Sequence, residues 1–181
     1  TEFKRVGAGI VLAMNAMQIF DRLGVVAQLK AAGNVLEGIQ ITNAALKPLA
    51  TTEHQYFESI YKLNNIAIHR AALHEVLLAE LDDDMPIYLN KKLQTLEQKN
   101  GINYLTFEDG TTHETTLLIG ADGIHSAVRR AVFPTVQERF AKQWCWRGVL
   151  DFDLGAAYKH VAREALGRGV RFGIVPISAK Q

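Results

Sequence analysis

The residues whose types and spacing best suit ligand binding or catalysis lie in LLIGADGIHSAVRR, at positions 117–130. Three apolar residues predict a buried strand, Gly-Ala-Asp-Gly predicts a tight turn, and a helix is predicted to begin near Ser126. Asp122 would then follow a strand and precede a helix, which is where α/β proteins bind ligands. Its carboxylate could accept hydrogen bonds from ribityl or ribose hydroxyls, while backbone N–H groups face phosphate. An Asp-Gly turn capped by Ser126 explains the same residues without a ligand.

Arg70 is the second candidate, because it stands at the predicted start of the helix in IHRAALHEVLLAEL. A cation opposes the helix dipole there, whereas its planar fork of donors suits a phosphate. A surface arginine is the alternative. In VGAGIVLAMNA the third glycine of a dinucleotide fingerprint is replaced by Leu12, so no phosphate loop is predicted. Gly7 and Gly9 indicate a bend or a close approach to something flat, with a plain turn as the alternative.

Other catalytic chemistries find little support in the sequence. His69 and His74 are five positions apart rather than three or four, and Cys145 is the single cysteine, so no metal site is predicted. The Gly-x-Ser-x-Gly elbow of hydrolases does not occur. Trp144 and Trp146 alternate as strand residues do, which favours a core or substrate sheet over nucleic-acid stacking.

The composition limits the class of protein and the partners to be expected. The chain is 48% apolar and 22% charged with a net charge of +1, which predicts a folded soluble protein with no general attraction for nucleic acid or anionic lipid. The lone cysteine fits a reducing cytoplasm, and no apolar run is long enough to span a bilayer. The N-terminus does not have the pattern of a signal peptide.

The elements that must position these residues are predicted helices and strands, which alternate along the chain. The helices are predicted in residues 10–33, with Asn15 as an N-cap and ends at Gly24 and Gly33, and in residues 69–81 and 125–132. Strands are predicted at VLEGIQIT, YFESIYKL, KKLQTLEQ, NYLTFEDG, TTHETTLLIGAD, WCWRGVLDFD and GVRFGIVPIS, with turns at Asn100-Gly101 and Asp109-Gly110. An α/β layer with a mainly β region inserted into it is the simplest architecture.

Three segments together resemble a known family. VGAGIVLAMNAMQIFDRLGV, IHRAALHEVLLAEL and FEDGTTHETTLLIGADGIHSAVRR are similar in order and spacing to the p-hydroxybenzoate hydroxylase-like, FAD-dependent aromatic hydroxylases, over roughly residues 5–134. The resemblance implies a monooxygenase that hydroxylates an aromatic or conjugated small molecule with NAD(P)H and O2, through a flavin hydroperoxide. A reductase or halogenase of the same superfamily, or a flavin-free non-catalytic fragment, is the alternative.

The resemblance also implies roles for individual residues. Asp122 and Gly123 match a motif at the FAD pyrophosphate, and Arg70 matches an arginine that contacts FAD. The segment Gly7 to Val11, with Gly9, Ile10 and Val11, matches one that passes close to the flavin ring. Leu93 falls where a family residue contacts adenine through its backbone. No catalytic side chain is carried over.

The implied fold is α/β with mixed α+β character: part of a FAD-binding Rossmann-like layer with an inserted, mainly β substrate-binding sheet. Residues 1–34 and 64–141 are assigned to the FAD-binding domain, and residues 35–63 and 142–181 to the substrate domain. Arg147 could pair with a substrate carboxylate there, or be a structural arginine of a Trp-Arg-Gly strand.

The family's first βαβ unit and its Gly-Asp motif are not in this sequence. The chain is therefore expected to be the middle of such an enzyme, to bind FAD weakly or not at all by itself, and to be inactive alone. Unpaired sheet edges are expected to favour self-association.

Overall fold

Helices and strands alternate along the part of the chain that the computed structural model describes, residues 7–178 and 180–181. The strands are β1 Gly9–Leu12, β2 Asn34–Val35, β3 Gly38–Asn43, β4 Pro48–Glu53, β5 Ile66–His69, β6 Leu93–Lys99, β7 Ile102–Phe107, β8 Thr112–Thr115, β9 Val161–Leu166 and β10 Arg171–Ile174. The helices are α1 Met14–Arg22, α2 Val26–Ala32, α3 His54–Tyr61, α4 Arg70–Leu78 and α5 Ala127–Val132. This mixture confirms the predicted α/β class.

The chain divides into two compact units. The smaller unit contains Pro86–Cys145 and holds β6, β7, β8 and α5. The larger unit contains the described residues from Gly7 to Met85 together with Trp146–Gln181, and holds the remaining elements. No helix in the described residues combines the length and apolar character needed to cross a membrane.

A three-stranded antiparallel sheet in the order β1-β5-β2 forms the centre of the larger unit. Its middle strand is completely apolar from Ile66 to Ile68 and is inaccessible to solvent, because helices α1, α2 and α4 present their apolar stripes to it. The resulting core consists of Leu12, Met14, Met17, Val25, Leu29, Leu63, Ile66 and Ile68. Helix α1 ends just before Gly24, as predicted.

A four-stranded sheet in the order β10-β9-β3-β4 lies in the same unit. Strands β3 and β9 pair in parallel, and the two outer pairs are antiparallel. A second apolar cluster contains Leu36, Ala67, Ala162 and Ile177, with Val11, Ile39 and Val175 packed against it. This cluster joins the four-stranded sheet to the three-stranded one, because it takes side chains from both.

The smaller unit is a β-meander in the order β6-β7-β8, followed by α5. Asn100 and Gly101 form the first turn with φ values of 51° and 78°, so both residues occupy the left-handed region that a two-residue hairpin turn requires. The predicted turn is confirmed, since Lys99 pairs directly with Ile102.

Several predicted elements are wrong. YFESIYKL is not a strand but lies largely in α3, because Tyr56, Ile60 and Tyr61 recur at helical spacing despite their β-rich composition. Asn15 is not a cap: α1 begins at Met14 after Ala13, without a side-chain cap bond. Strand β9 lies in residues 143–181, which are predicted to contain only strands, but VAREAL is not one of the named strands, because it consists largely of helix formers and becomes a strand through pairing with β3 and β10.

Two further segments are irregular where strands are predicted. Leu117 and Ile119 are 73% and 79% exposed, and the structure pairs residues 117–122 with no strand. WCWRGVLDFD is likewise irregular, with Trp146 90% exposed. An apolar run forms a strand only when a partner strand satisfies its backbone groups, and neither segment has such a partner among the described residues.

Candidate functional site

The structure brings four of the predicted cofactor-binding residues together at one corner of the larger unit. Gly9, Ile10 and Val11 lie in β1, which pairs antiparallel with β5, so that Gly9 stands opposite His69. The next residue, Arg70, begins α4, and its backbone N–H donates to the carbonyl of Ala8 at 3.2 Å. Strand pairing therefore fixes the start of α4 beside the start of β1.

Arg70 is exposed at this corner. The preceding residue, His69, caps the helix, since its Nδ1 accepts a hydrogen bond from the backbone N–H of Ala71 at 3.2 Å. Within the described residues the Arg70 guanidinium has neither an ion pair nor a hydrogen bond to another side chain. An unpaired cation at a helix N-terminus opposes the helix dipole, and an anionic ligand would offset that cost.

Gly7 and Gly9 are small because protein atoms approach them closely. A Cβ added at Gly9 would lie 2.6 Å from Cγ2 of Ile177, and one added at Gly7 would lie 3.2 Å from Cβ of Arg70. The close approach that the structure shows is made by Ile177 and Arg70, and the approach to a flat group stays a prediction. Ile10, whose side chain alternates with that of Val11 across β1, remains 39% exposed.

Asp122 lies in the smaller unit, where its carboxylate holds the start of α5. It accepts hydrogen bonds from Ser126 Oγ at 2.5 Å, from the Ala127 N–H at 2.6 Å and from the Val128 N–H at 3.2 Å. The Ser126 hydroxyl bond, more than the two backbone bonds, lowers the pKa of Asp122. Ser126 in turn caps α5 by accepting from the Arg129 N–H at 2.9 Å. The turn-and-cap interpretation accounts for all of these contacts.

Basic residues after this turn are also engaged internally. Glu138 accepts from Arg129 Nη2 at 3.0 Å and lies 2.8 Å from Nδ1 of His125. Arg129 also donates to the Ile124 carbonyl, and Arg130 donates to that of His125 at 2.6 Å. No sequence pattern marks Glu138, because an acid thirteen residues beyond His125 has no characteristic spacing.

The remaining predicted residues are placed apart from these contacts. Leu93 is the first residue of β6 and stands opposite Phe107, in the same unit as Asp122 and Gly123. Arg147 lies in the irregular segment after Trp146, in the larger unit, and is exposed. The predicted cofactor residues thus form two groups, one within each unit.

The larger unit's corner is compatible with FAD. The Arg70 guanidinium, which has no partner side chain in the part of the chain that the structure describes, suits a phosphate, and the exposed Ile10 side chain on an edge strand suits an apolar, planar group. The smaller unit offers less to an anion, because Asp122 already occupies the first free amides of α5. Among the described residues, no group of three His, Cys, Asp or Glu side chains could hold a metal ion.

The sequence matches a known protein family and is similar to known enzymes. Residues 3–179 match the family described as FAD binding domain. The chain is 33% identical over 177 residues to the aurachin C monooxygenase/isomerase of Stigmatella aurantiaca, covering 98% of this chain and 46% of that protein. It is 31% identical over 183 residues to the 2-heptyl-3-hydroxy-4(1H)-quinolone synthase of Pseudomonas aeruginosa strain UCBPP-PA14, covering 100% of this chain and 46% of that protein.

A solved structure shares the fold. The crystal structure of Klebsiella pneumoniae HpxO complexed with FAD and uric acid superposes with a TM-score of 0.78 at 22% identity, over 98% of this chain and 46% of that one. The chain therefore spans about half the length of the relatives that it matches.

Proposed function

Since the chain belongs to the FAD binding domain family, which it matches over residues 3–179, we propose that the whole protein is a FAD-dependent monooxygenase. It hydroxylates an aromatic or conjugated small molecule with NAD(P)H and O2. One oxygen atom enters the substrate and the other leaves as water, with two electrons supplied by NAD(P)H. The observation that carries the proposal is the Arg70 guanidinium, which is fixed beside β1 and has no side-chain partner among the described residues.

Within each unit, taken by itself, particular residues are proposed to contribute to FAD binding. In the larger unit, Arg70 binds phosphate, and Gly9, Ile10 and Val11 present an edge strand to the flavin. In the smaller unit, Leu93 contributes its backbone, while Asp122 fixes the turn at Gly123 by its bonds to Ser126 and α5. When bound, FAD supplies the redox chemistry that joins NAD(P)H to O2. The protein's own task is to orient the two reactants and keep water away.

The names of the relatives support a substrate class. The Pseudomonas enzyme is named for a 3-hydroxy-4(1H)-quinolone, and a further relative, 36% identical over 129 residues, is a 3-amino-4-hydroxybenzoate 2-monooxygenase of Streptomyces cremeus. We expect an aromatic ring that is rich in electrons and carries nitrogen or oxygen substituents. Arg147 remains a candidate partner for a substrate carboxylate.

The decisive experiment uses the full-length protein. We expect it to purify with about one equivalent of flavin, seen in the visible absorption spectrum, and to oxidise NAD(P)H faster when a quinolone or hydroxybenzoate is added. Mass spectrometry of the product should show one added oxygen atom, labelled when 18O2 is supplied. A flavin-free protein would contradict the proposal, as would a product without oxygen from O2.

Three other features are part of this proposal. Residues 1–34 and 64–141 belong to the FAD-binding domain, and residues 35–63 and 142–181 to the substrate domain. The single cysteine supports a cytoplasmic location. Self-association through the edge strand β10, where Phe172 is exposed, would appear as a concentration-dependent mass in light scattering.

A further inference from the structure

The two faces of the four-stranded sheet have different surroundings. Ile39 of β3 and Ala162 of β9 are register partners, so their side chains share one face. Both belong to the apolar cluster that includes Val11 of β1. This face, called the inner face here, is therefore the one directed toward the strand that is proposed to contact the flavin.

One charged pair occupies the inner face just beyond this cluster. Side chains alternate along a strand, so Glu164 lies on the same face as Ala162, and its register partner is Ile41. Glu164 Oε1 is 3.1 Å from Nη1 of Arg171, which lies on the neighbouring strand β10. The two side chains are 38% and 65% exposed, so the pair remains open to a ligand.

Space beside the pair is left by a glycine. Gly173 is the register partner of Glu164 on β10. A Cβ added at Gly173 would have no heavy atom nearer than the Arg163 carbonyl oxygen at 3.9 Å. The inner face is therefore open next to the Glu164 carboxylate, where a flat ring can approach without displacing a side chain.

On the opposite face of the sheet, the charged side chain is bound by other protein groups. Arg163, which alternates with Glu164, stacks its guanidinium 3.7 Å from the centre of the Tyr158 ring and donates from Nε to Gln40 Oε1 at 3.0 Å. That arginine is held by protein groups. In Glu164 and Arg171, by contrast, one carboxylate oxygen and most of the guanidinium donors have no partner among the described residues.

We propose that Glu164 and Arg171 recognise the polar edge of the substrate ring, a proposal that rests on the proposed function. Side by side, a carboxylate accepts one hydrogen bond and a guanidinium donates another. A ring edge with an adjacent N–H and C=O, as in a cyclic amide, complements this arrangement. Because the pair is neutral overall, it favours a neutral lactam ring over a carboxylate substrate.

Binding of two probes to the full-length protein tests this directly. The probes are 2(1H)-quinolone and its N-methyl derivative, and their dissociation constants are measured by isothermal titration calorimetry, with or without flavin. We expect the N–H compound to bind about tenfold more tightly, because methylation leaves the Glu164 carboxylate without a donor. Glu164→Ala should abolish this preference, and Arg171→Met should weaken both probes.

Two controls separate recognition from folding. Glu108→Ala removes a comparable exposed ion pair, with Lys92 at 2.6 Å in the smaller unit, and should leave both dissociation constants unchanged. Gly173→Val preserves both charges but fills the open space, and should weaken both probes. Equal binding of the two probes, or a preference that persists in Glu164→Ala, overturns the inference. If the enzyme still hydroxylates another aromatic, the proposed function survives that failure.

Discussion

Helix α4 begins with the charged residue Arg70, and helix α5 is preceded by the charged residue Asp122, yet the two helix starts are organised in opposite ways. At α5 the charge is negative and its carboxylate is hydrogen-bonded within the same segment, because Asp122 accepts from Ser126, Ala127 and Val128. At α4 the charge is positive, and a histidine takes over the capping. The first arrangement favours the helix dipole, and the second opposes it.

This difference separates a structural use of a charge from a ligand-binding one. Asp122 needs no external partner to explain its position, since its bonds stabilise the helix start. Arg70 has no such internal explanation among the described residues, and it lies where strand β1 meets α4. Substitution at α4 should therefore affect mainly FAD affinity, and substitution at α5 mainly folding.

The largest effect is expected for Arg70→Met in the full-length protein. The change keeps much of the aliphatic stem that packs against Gly7 but removes the charge, so FAD should bind about 10- to 100-fold more weakly, as expected for a lost charged hydrogen bond. The melting temperature of the flavin-free protein should stay the same or rise, since the unfavourable dipole contact is removed. Fluorescence titration with FAD measures the affinity.

Arg22→Met provides the matched control, because Arg22 is a basic residue in the last turn of α1, where a cation favours the dipole. It should leave FAD affinity unchanged. Arg70→Lys should recover only part of the affinity, because lysine keeps the charge without the planar fork. Unchanged FAD binding in Arg70→Met would show that α4 is no more a ligand site than α5.

The sequence predicted these local features well because they depend on nearby residues. The start of α4 at Arg70 and the end of α1 just before Gly24 are decided by capping and periodicity within a few residues. The turn at Asn100-Gly101 is decided by the two residues themselves. For Asp122 both interpretations agreed on the turn, and only the contacts show that the carboxylate is engaged by Ser126.

What could not be predicted depends on contacts between distant residues. Strand β9 exists because β3, more than a hundred residues earlier, pairs with it. The Glu164–Arg171 pair follows from that register, so no local pattern marked it. The apolar residues at 117–119 show the reverse case, in which a strand-forming composition has no partner strand in the described residues.

A moderate effect on stability is expected for Ser126→Ala. The hydroxyl both caps α5 and donates to Asp122, and loss of a serine N-cap costs about 1 kcal/mol. The free energy of unfolding from urea titration should fall by that amount, while FAD affinity changes little. Ser59→Ala, which removes an exposed hydroxyl bonded to its own helix, is the control and should be nearly neutral. A large loss of FAD affinity with unchanged stability would assign α5 a ligand role instead.

The smallest expected effect is the pH dependence of Asp122→Asn. Because hydrogen bonds from Ser126 and then from the α5 amides lower the pKa of Asp122, its carboxylate binds protons less readily in the folded state than in the unfolded one. The carboxylate therefore stabilises the fold fully above about pH 4, the ordinary aspartate value, and this contribution is lost as the pH falls through the lowered pKa.

Melting temperatures of the wild type and Asp122→Asn, compared from pH 6 downward, should consequently differ most at pH 6 and converge in acid, where the protonated carboxyl resembles an amide. Asp109 provides a reference in the same unit: bonds from Lys91 and Thr111 lower its pKa to about 2, so the effect of Asp109→Asn should persist to about that pH. A difference for Asp122→Asn that widens in acid would mean that the carboxylate is not held by its helix, and the contrast with Arg70 would then disappear.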